Sequence, residues 1–291
     1  MNDYLLSLLL GVVEGVTEFL PVSSTAHLRI TEALLHVDLA DGYWKMYSIV
    51  IQLGAILCLP IFFRDRIARL LRSFPRGERG DRTLLTHPLS LTLVAFVCTA
   101  VPAFLLTKLI GKHLESLTIM GVALIAGGVV MWAVDFAHAR AEAAGPGPGS
   151  RIRTWSMDDM SLGQAIWIGL CQVLSAVFPG TSRSMATIAG GQLAGMSRSS
   201  ALEFSFFLSI PTMAAATGYD LLKTLRGAEN PLGAAAMDAH GWVVLAIGFV
   251  TSFLVAYASV AWFLAFVRRH GFTGFAVYRV LAGAAVLALL A

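Results

Sequence analysis

Charge is scarce in this 291-residue chain: Asp, Glu, Lys and Arg together supply 13% of it, about half the share of an average soluble domain. So thin a polar coat excludes an ordinary water-soluble fold. With 57% hydrophobic residues and a mean hydropathy of +0.73, the chain is read as a membrane protein. Cysteine is nearly missing. Cys58, Cys98 and Cys171 lie in apolar stretches at unrelated spacings, which excludes a disulfide framework and a metal-binding cluster and leaves them as small core residues. Nowhere do basic residues cluster among interleaved aromatics, so nucleic-acid binding is set aside. No Lys or Arg precedes Arg29, and Glu14 interrupts the first apolar run. The basic start of a cleavable signal peptide is therefore missing, and the N-terminus is expected to stay in the mature protein.

What is present are long apolar runs. A spanning helix needs about 20 mostly apolar residues. Tyr47–Phe63, Leu89–Leu106, Leu117–Phe136 and Trp242–Val267 are expected to be spans, with Leu202–Leu222 and Phe275–Leu290 as two more. Two further stretches, Tyr4–Leu20 and Leu162–Phe178, each end at a proline (Pro21, Pro179) followed by small polar residues and a second short helical pattern. Such breaks suit a re-entrant helix–loop–helix, whose bare backbone is tolerated at membrane depth only inside protein or a wet cavity.

The first break is unusually rich in chemistry. Gly11–His27 reads GVVEGVTEFLPVSSTAH. Glu14 and Glu18 are four residues apart, hence one turn apart on the same helix face. Each carboxylate costs roughly 2.5–3.5 kcal/mol at a bilayer centre, a cost that calls for a cation, a basic side chain or a shared proton opposite them. After Pro21, Ser23, Ser24 and Thr25 can cap the next helix, whose N-terminus offers free N–H groups to an anion.

An offset of 158 lays the second break on the first. Gly11 falls on Gly169, Glu14 on Gln172, Pro21 on Pro179 and Ser24 on Ser182. This implies an internal duplication. Each copy is a broken hairpin followed by three spans, and because three is odd the second copy must enter the membrane inverted. The expected fold is thus an all-α integral membrane protein with an inverted-topology repeat in a single transmembrane domain, residues 1–291. Repeat 1 covers about 1–140 and repeat 2 about 155–291. The linker, about 141–154, includes the flexible Ala143–Ser150 (AAGPGPGS).

Loop charge orients the expected topology. Arg64, Arg66, Arg69, Arg72, Arg76, Arg79, Arg82, Arg140, Arg151, Arg153, Arg268 and Arg269 lie on one side; only Arg29, Lys45, Lys108, Lys112, Lys223 and Arg226 lie on the other. The positive-inside rule makes the first side cytoplasmic. The first hairpin then opens outward.

The second break, Pro179-Gly180-Thr181-Ser182-Arg183-Ser184, sharpens the chemistry. Gly180 permits an unusual turn, the following N–H groups can form an anion nest, and Arg183 offers a forked donor set for phosphate. Taken singly, the hydroxyls could be helix caps, His27 an interface histidine and Arg183 a side chain snorkelling to the membrane surface. Those readings leave Glu14 and Glu18 unexplained. Gln52, Glu203 and Ser209, in the spans that follow the hairpins, are expected to line or brace the cavity or to bond helix to helix.

These residues resemble the undecaprenyl-diphosphate phosphatases of the bacitracin-resistance type. The resemblance rests on EGVTEFLPVSSTAHL (Glu14–Leu28) and PGTSRSMAT (Pro179–Thr187). IVIQLGAIL (Ile49–Leu57) and EFSFFLSIPTMAAAT (Glu203–Thr217) support it, and it extends over the whole chain. Ala26 and Met185 stand where the family often has glycine. The resemblance implies hydrolysis of undecaprenyl diphosphate to the monophosphate and phosphate, recycling the carrier lipid for cell-wall synthesis and conferring bacitracin resistance. It also implies a bacterial inner-membrane location with the site open to the extracytoplasmic side. Carried over, it makes Glu14, Glu18, Ser24, His27 and Arg183 catalytic, and Ser23, Thr25, Thr181, Ser182 and Arg183 phosphate-binding. It further implies a divalent cation, magnesium or calcium, with Glu14 and Glu18 as its protein ligands. Expected partners are the polyprenyl diphosphate substrate, membrane lipid and at most a second copy of the chain. Either Ser24 attacks phosphorus with His27 as base, or an activated water does. The competing reading is a polyprenyl-lipid flippase or ion-coupled transporter on the same inverted repeat.

Overall fold

A computed structural model describes residues 2–37, 42–106, 116–145, 147, 150–226 and 238–290. In order, its helices are α1 (Asp3–Thr17), α2 (Ser24–Leu34), α3 (Gly42–Phe62), α4 (Arg64–Ser73), α5 (Pro88–Leu105), α6 (Leu117–Ala143), α7 (Leu162–Val177), α8 (Arg183–Leu193), α9 (Arg198–Arg226), α10 (Ala239–His270) and α11 (Thr273–Leu289). A 3₁₀ turn, Met157–Asp159, precedes α7. Among the described residues extended pairing is limited to an isolated bridge between Thr154 and Met196. The chain is an all-α integral membrane protein. By length and composition α5, α6 and α10 can cross a bilayer, and α3 with α4 makes a fourth span bent by 62°. The expected spans Leu202–Leu222 and Phe275–Leu290 coincide with parts of the helices α9 and, up to Leu289, α11. Neither is among the helices that meet the length and composition of a crossing, and α11 is a shorter apolar helix of 17 residues.

Both sequence breaks occur where expected, for a local reason. Pro21 has no N–H to give the Thr17 carbonyl, so α1 stops at Thr17. Phe178, held extended (φ −115°, ψ 100°) before Pro179, stops α7 at Val177. The second helix of each hairpin, α2 or α8, starts after a serine in the left-handed region, Ser23 at φ 74° and Ser182 at φ 69°. This corrects the register at the serines. Ser182 matches Ser23 and not Ser24, because the loop from Pro179 holds one residue more, Gly180 at φ +94°. Ser24 and Arg183 thus share the first position of their helices.

Packing holds these hairpins at the centre. α1 lies on α10, where a Cβ at Gly11 would meet the Gly248 carbonyl and Thr251, and one at Gly15 would meet Val255 and the Ser252 carbonyl. α7 lies on α5 in the same way: a Cβ at Gly169 would run into the Ala95 carbonyl and Cys98. Close backbone approach through small residues is the membrane substitute for a hydrophobic driving force. Hydroxyls add bonds across the spans, Thr99 Oγ1 to the Gly169 carbonyl at 2.8 Å and Ser252 Oγ to the Ile51 carbonyl at 2.7 Å. The largest apolar cluster runs from Phe19, Leu20 and Val22 in the first break through Phe206, Phe263 and Phe275. Outside, large apolar side chains stay exposed. Leu93, Val97, Val101 and Phe104 of α5 form a stripe at helical spacing suited to lipid contact.

One expectation needs correcting at the basic end. The stretch after Phe63 is not simply a loop, because residues 64–73 form α4, with Asp65 in its first turn, Arg72 in its last and Leu70 buried. Of the two roles expected for Glu203 the structure shows the bond between helices: Glu203 pairs with Arg66 at 3.0 Å and so joins α4 to α9, and Arg66 also pairs with Asp158 at 2.8 Å. Ser209 donates to the Ser205 carbonyl of its own helix, and Gln52 accepts from Thr217 at 3.4 Å. Of the six basic residues counted on the other side, Lys108 and Lys112 lie outside the described residues. The same holds for the side chains of Lys45, Lys223 and Arg226, and for residues 146, 148 and 149 of the linker.

Candidate active site

Glu18 is where the two hairpins meet. It is the residue just after α1, still helical (φ −62°, ψ −43°), with its N–H on the Glu14 carbonyl at 2.9 Å. One carboxylate oxygen, Oε2, accepts from the Ser24 hydroxyl at 2.6 Å. The other, Oε1, accepts from Arg183 Nη2 at 3.0 Å, across 165 residues of sequence. The ion pair is nearly dry, with side-chain exposures of 11% for Arg183 and 3% for Glu18. Removing one partner of such a pair leaves a bare buried charge, at a cost of about 3–5 kcal/mol. The short Ser24–Glu18 contact points the hydroxyl proton at a carboxylate able to take it.

Around this pair lie polar groups with no partner among the described residues. Both Glu14 carboxylate oxygens, Arg183 Nη1 and Ser184 Oγ are buried and unbonded. Native interiors leave few such groups. Here they sit beside the start of α8, whose first-turn N–H groups have no carbonyl within the helix to bond. Arg183 Nη1 and the helix start are groups of the kind that can receive an anion. Among the described residues no three His, Cys, Asp or Glu side chains gather closely enough to hold a metal on their own. A hard cation takes oxygen ligands and accepts phosphate oxygens and water to complete its shell. Glu14, whose two oxygens meet no N–H or hydroxyl donor and whose carboxyl lies within hydrogen-bond reach of Glu18, has the oxygens such a cation would take. Glu18 already serves Ser24 and Arg183.

The other expected residues are placed as follows. The His27 ring bonds to the Ser23 carbonyl and the Tyr278 hydroxyl, and not to Ser24 or Glu18. Its Nδ1 lies 2.8 Å from the Ser23 carbonyl, so by assignment it carries the proton, and Nε2 accepts from the Tyr278 hydroxyl at 2.6 Å. The two rings stack with centroids 5.6 Å apart. His27 thus steadies the strained Ser23 turn. Ser182 caps α8 by accepting from the Met185 N–H at 3.3 Å. Ser23 is buried without a capping bond, Thr25 is exposed and Thr181 is half-buried. Gln172, at the position matching Glu14, donates to Thr212 at 3.1 Å. Ala26 packs with Met120 and Leu124 in a small apolar cluster.

One residue escaped the sequence reading. Arg279 on α11 is fully buried. Its Nη1 donates to the Pro21 carbonyl at 3.0 Å, and its Nη2 lies 3.0–3.1 Å from the carbonyls of Gly180, Thr181 and Ala123. A single guanidinium therefore binds bare backbone in both breaks, the groups that lipid would leave unsatisfied. Gly127 makes room for it, since a Cβ there would strike Nη2. The signal was legible: an arginine inside the apolar run Phe275–Leu290, where a charge calls for a function or a partner.

A family model described as "Bacitracin resistance protein BacA" matches residues 7–285. An undecaprenyl-diphosphatase of Koribacter versatilis (strain Ellin345) is 67% identical over 291 residues, covering 99% of this chain and 98% of that one. Another, of Caldanaerobacter subterraneus subsp. tengcongensis, is 39% identical over 97% of this chain and 94% of its own. A third, of Rhizobium etli (strain CFN 42), is 40% identical over 99% and 98%.

Proposed function

The chain belongs to the bacitracin resistance protein BacA family, and on that footing we propose that Glu18, Ser24 and Arg183 form the centre at which it hydrolyses undecaprenyl diphosphate. The products are undecaprenyl phosphate and inorganic phosphate, so the enzyme returns a lipid carrier to cell-wall synthesis. One observation carries the assignment: a hydroxyl from one hairpin and a guanidinium from the other converge on the same buried carboxylate, at 2.6 and 3.0 Å.

In the reaction, Arg183 Nη1 and the first-turn N–H groups of α8 hold the terminal phosphate as charge builds on its oxygens. The Ser24 oxygen attacks phosphorus while its proton passes to Glu18, the bond to the bridging oxygen breaks, and undecaprenyl phosphate leaves. Glu18 gives that proton up to the departing products or to solvent. Water then attacks the phosphoserine. Glu18 takes the water's proton and passes it to the Ser24 oxygen as the P–O bond breaks, and phosphate is released. The alternative is direct attack by water held at Glu18, and Ser24→Ala separates the two. A divalent cation held by Glu14 and the substrate phosphates would neutralise charge on the diphosphate.

The finer fold reading is an inverted repeat, supported by matched pairs. α1 packs on α10 as α7 packs on α5, and each hairpin resumes after a serine at positive φ. The charge asymmetry of the loops supports a plasma-membrane orientation with the site open to the extracytoplasmic side.

The test is phosphate release from undecaprenyl diphosphate by the purified protein in detergent, where transport cannot register. Wild type is expected to turn over and to lose activity with chelator. Ser24→Ala is expected to fall at least 100-fold. Retention of more than a tenth of the wild-type rate would rule out the serine route and leave the water route.

A further inference from the structure

Residues 64–87 form a surface with no assigned role. They hold seven arginines and no lysine, against three acids, Asp65, Glu78 and Asp81. Four of the arginines are paired. Arg66 meets Asp158 and Glu203 at 2.8 and 3.0 Å, Arg69 meets Glu78 at 3.3 Å, and Arg79 and Arg82 both meet Asp159 at 2.9 Å. Arg72 and Arg76 are exposed, and among the described residues neither has a carboxylate partner. Large apolar side chains are interleaved with them: Leu71, Phe74, Leu84 and Leu85 are 45–62% exposed. Leu70 is buried and Arg66 turns inward on one face of α4, which leaves Leu71 and Arg72 on the outer one. Exposed apolar side chains gathered in this way mark a place of contact.

We propose that Leu71, Arg72, Phe74, Arg76, Leu84 and Leu85 form a docking surface for anionic phospholipid of the bilayer that the chain spans. The two guanidiniums take lipid phosphate through their forked donors, and the apolar side chains reach the acyl boundary. The fold sets this surface at the edge of the bilayer. Between α3 and α4 the chain bends by 62°, so α4 turns away from the direction of the span. Its far end is tied to α5: the Phe74 ring meets His87 edge to face at 5.1 Å, and His87 caps α5 by accepting from the Leu89 N–H at 3.2 Å. Phe74 therefore stands at the level where α5 begins its crossing. Two observations select lipid over an acidic protein or a second copy of the chain. The surface runs on into the lipid-facing stripe of α5, which starts at Leu93, eight residues after Leu85. The unpaired charge is also positive, the complement of an anionic leaflet, and the spans hold it against that leaflet at high local concentration. This surface is independent of the hydrolase reading.

The test uses the full chain in phosphatidylcholine bilayers that contain a little phosphatidylglycerol with a photoreactive group beside its phosphate. In the unaltered protein this probe is expected to label residues 71–85. Unmodified phosphatidylglycerol should suppress that label, and added phosphatidylcholine should leave it. Arg72→Gln with Arg76→Gln changes two exposed side chains, and is expected to lower the labelling about fivefold or more, the scale of one basic side chain at an anionic surface. Arg268→Gln with Arg269→Gln removes the same charge from another exposed pair, and is expected to leave the labelling of residues 71–85 within about twofold, since surface charges beyond a Debye length are screened. No label on residues 71–85 in the unaltered protein overturns the proposal, as does label that phosphatidylcholine suppresses equally. Equal loss in the two double variants also overturns it, because a diffuse positive field would then replace a defined surface. A dimer in detergent that Arg72→Gln with Arg76→Gln dissociates would give the surface to a second copy and overturn it too.

Discussion

The two broken hairpins share a backbone plan but divide the chemistry unequally. Each is a helix stopped by proline, a turn with one serine at positive φ, and an 11-residue helix. The first position of that helix is Ser24 in one copy and Arg183 in the other, and both reach Glu18. About one turn before the break the first copy has the buried carboxyl of Glu14 beside Glu18. The second has the neutral Gln172, which donates to Thr212 through Nε2 and leaves its own Oε1 without a partner among the described residues. The first hairpin thus carries the acid and the hydroxyl, the second the guanidinium. A duplicated scaffold allows this because backbone geometry is set by proline, glycine and packing, which leaves the first helical position free to differ.

Disturbing Glu18 should do the most damage, since its carboxylate joins the Ser24 hydroxyl of one hairpin to the Arg183 guanidinium of the other. Glu18→Gln keeps the shape but removes the charge, and phosphate release should fall at least 1,000-fold in a protein that still elutes as wild type. Arg183→Ala should lose about 100- to 1,000-fold, the scale of removing one transition-state donor. Next is the clamp between the copies. Arg279→Met keeps bulk but frees four carbonyls. At about 1.5–3 kcal/mol for each bond to a charged group, even partial loss should lower Tm by several degrees and kcat by about 100-fold. His27→Ala should cost about 10- to 30-fold in kcat, because His27 supports the Ser23 turn without bonding to Ser24 or Glu18. A loss as large as that of Glu18→Gln would show that the imidazole does act on the reacting atoms. The smallest effect belongs to the second copy's silent position. Gln172→Leu should leave turnover within threefold, and a larger loss would mean that the two copies share the acid's work more evenly than their contacts indicate.

Much of this was readable along the chain. Pro21 and Pro179 mark the breaks because proline lacks the N–H a helix needs. Glu14, Glu18 and Arg183 stand out because charge is rare in apolar runs. Three features escaped, each for a physical reason. Arg279 stood in an otherwise ordinary apolar helix, and its partners are backbone carbonyls, which carry no residue-specific mark. The one-residue difference in loop length shifted Ser182 from Ser24 to Ser23, because an offset aligned on prolines cannot register an insertion that comes after them. Glu203 lay in a motif beside the site, yet its partner Arg66 sits on α4, a helix too charged to stand out as a span.

From the order of residues alone came the membrane setting, the two interrupted helices and the charged and hydroxyl side chains gathered at the breaks. These depend on local properties: hydropathy, the missing proline N–H and the cost of a carboxylate in lipid. Only the packed molecule decided which groups serve one another. It gave Glu18 to Ser24 and Arg183, turned His27 toward Tyr278, and made Arg279 the tie between the copies. Such pairings join residues far apart along the chain, and they are selected by where helices come to rest against each other.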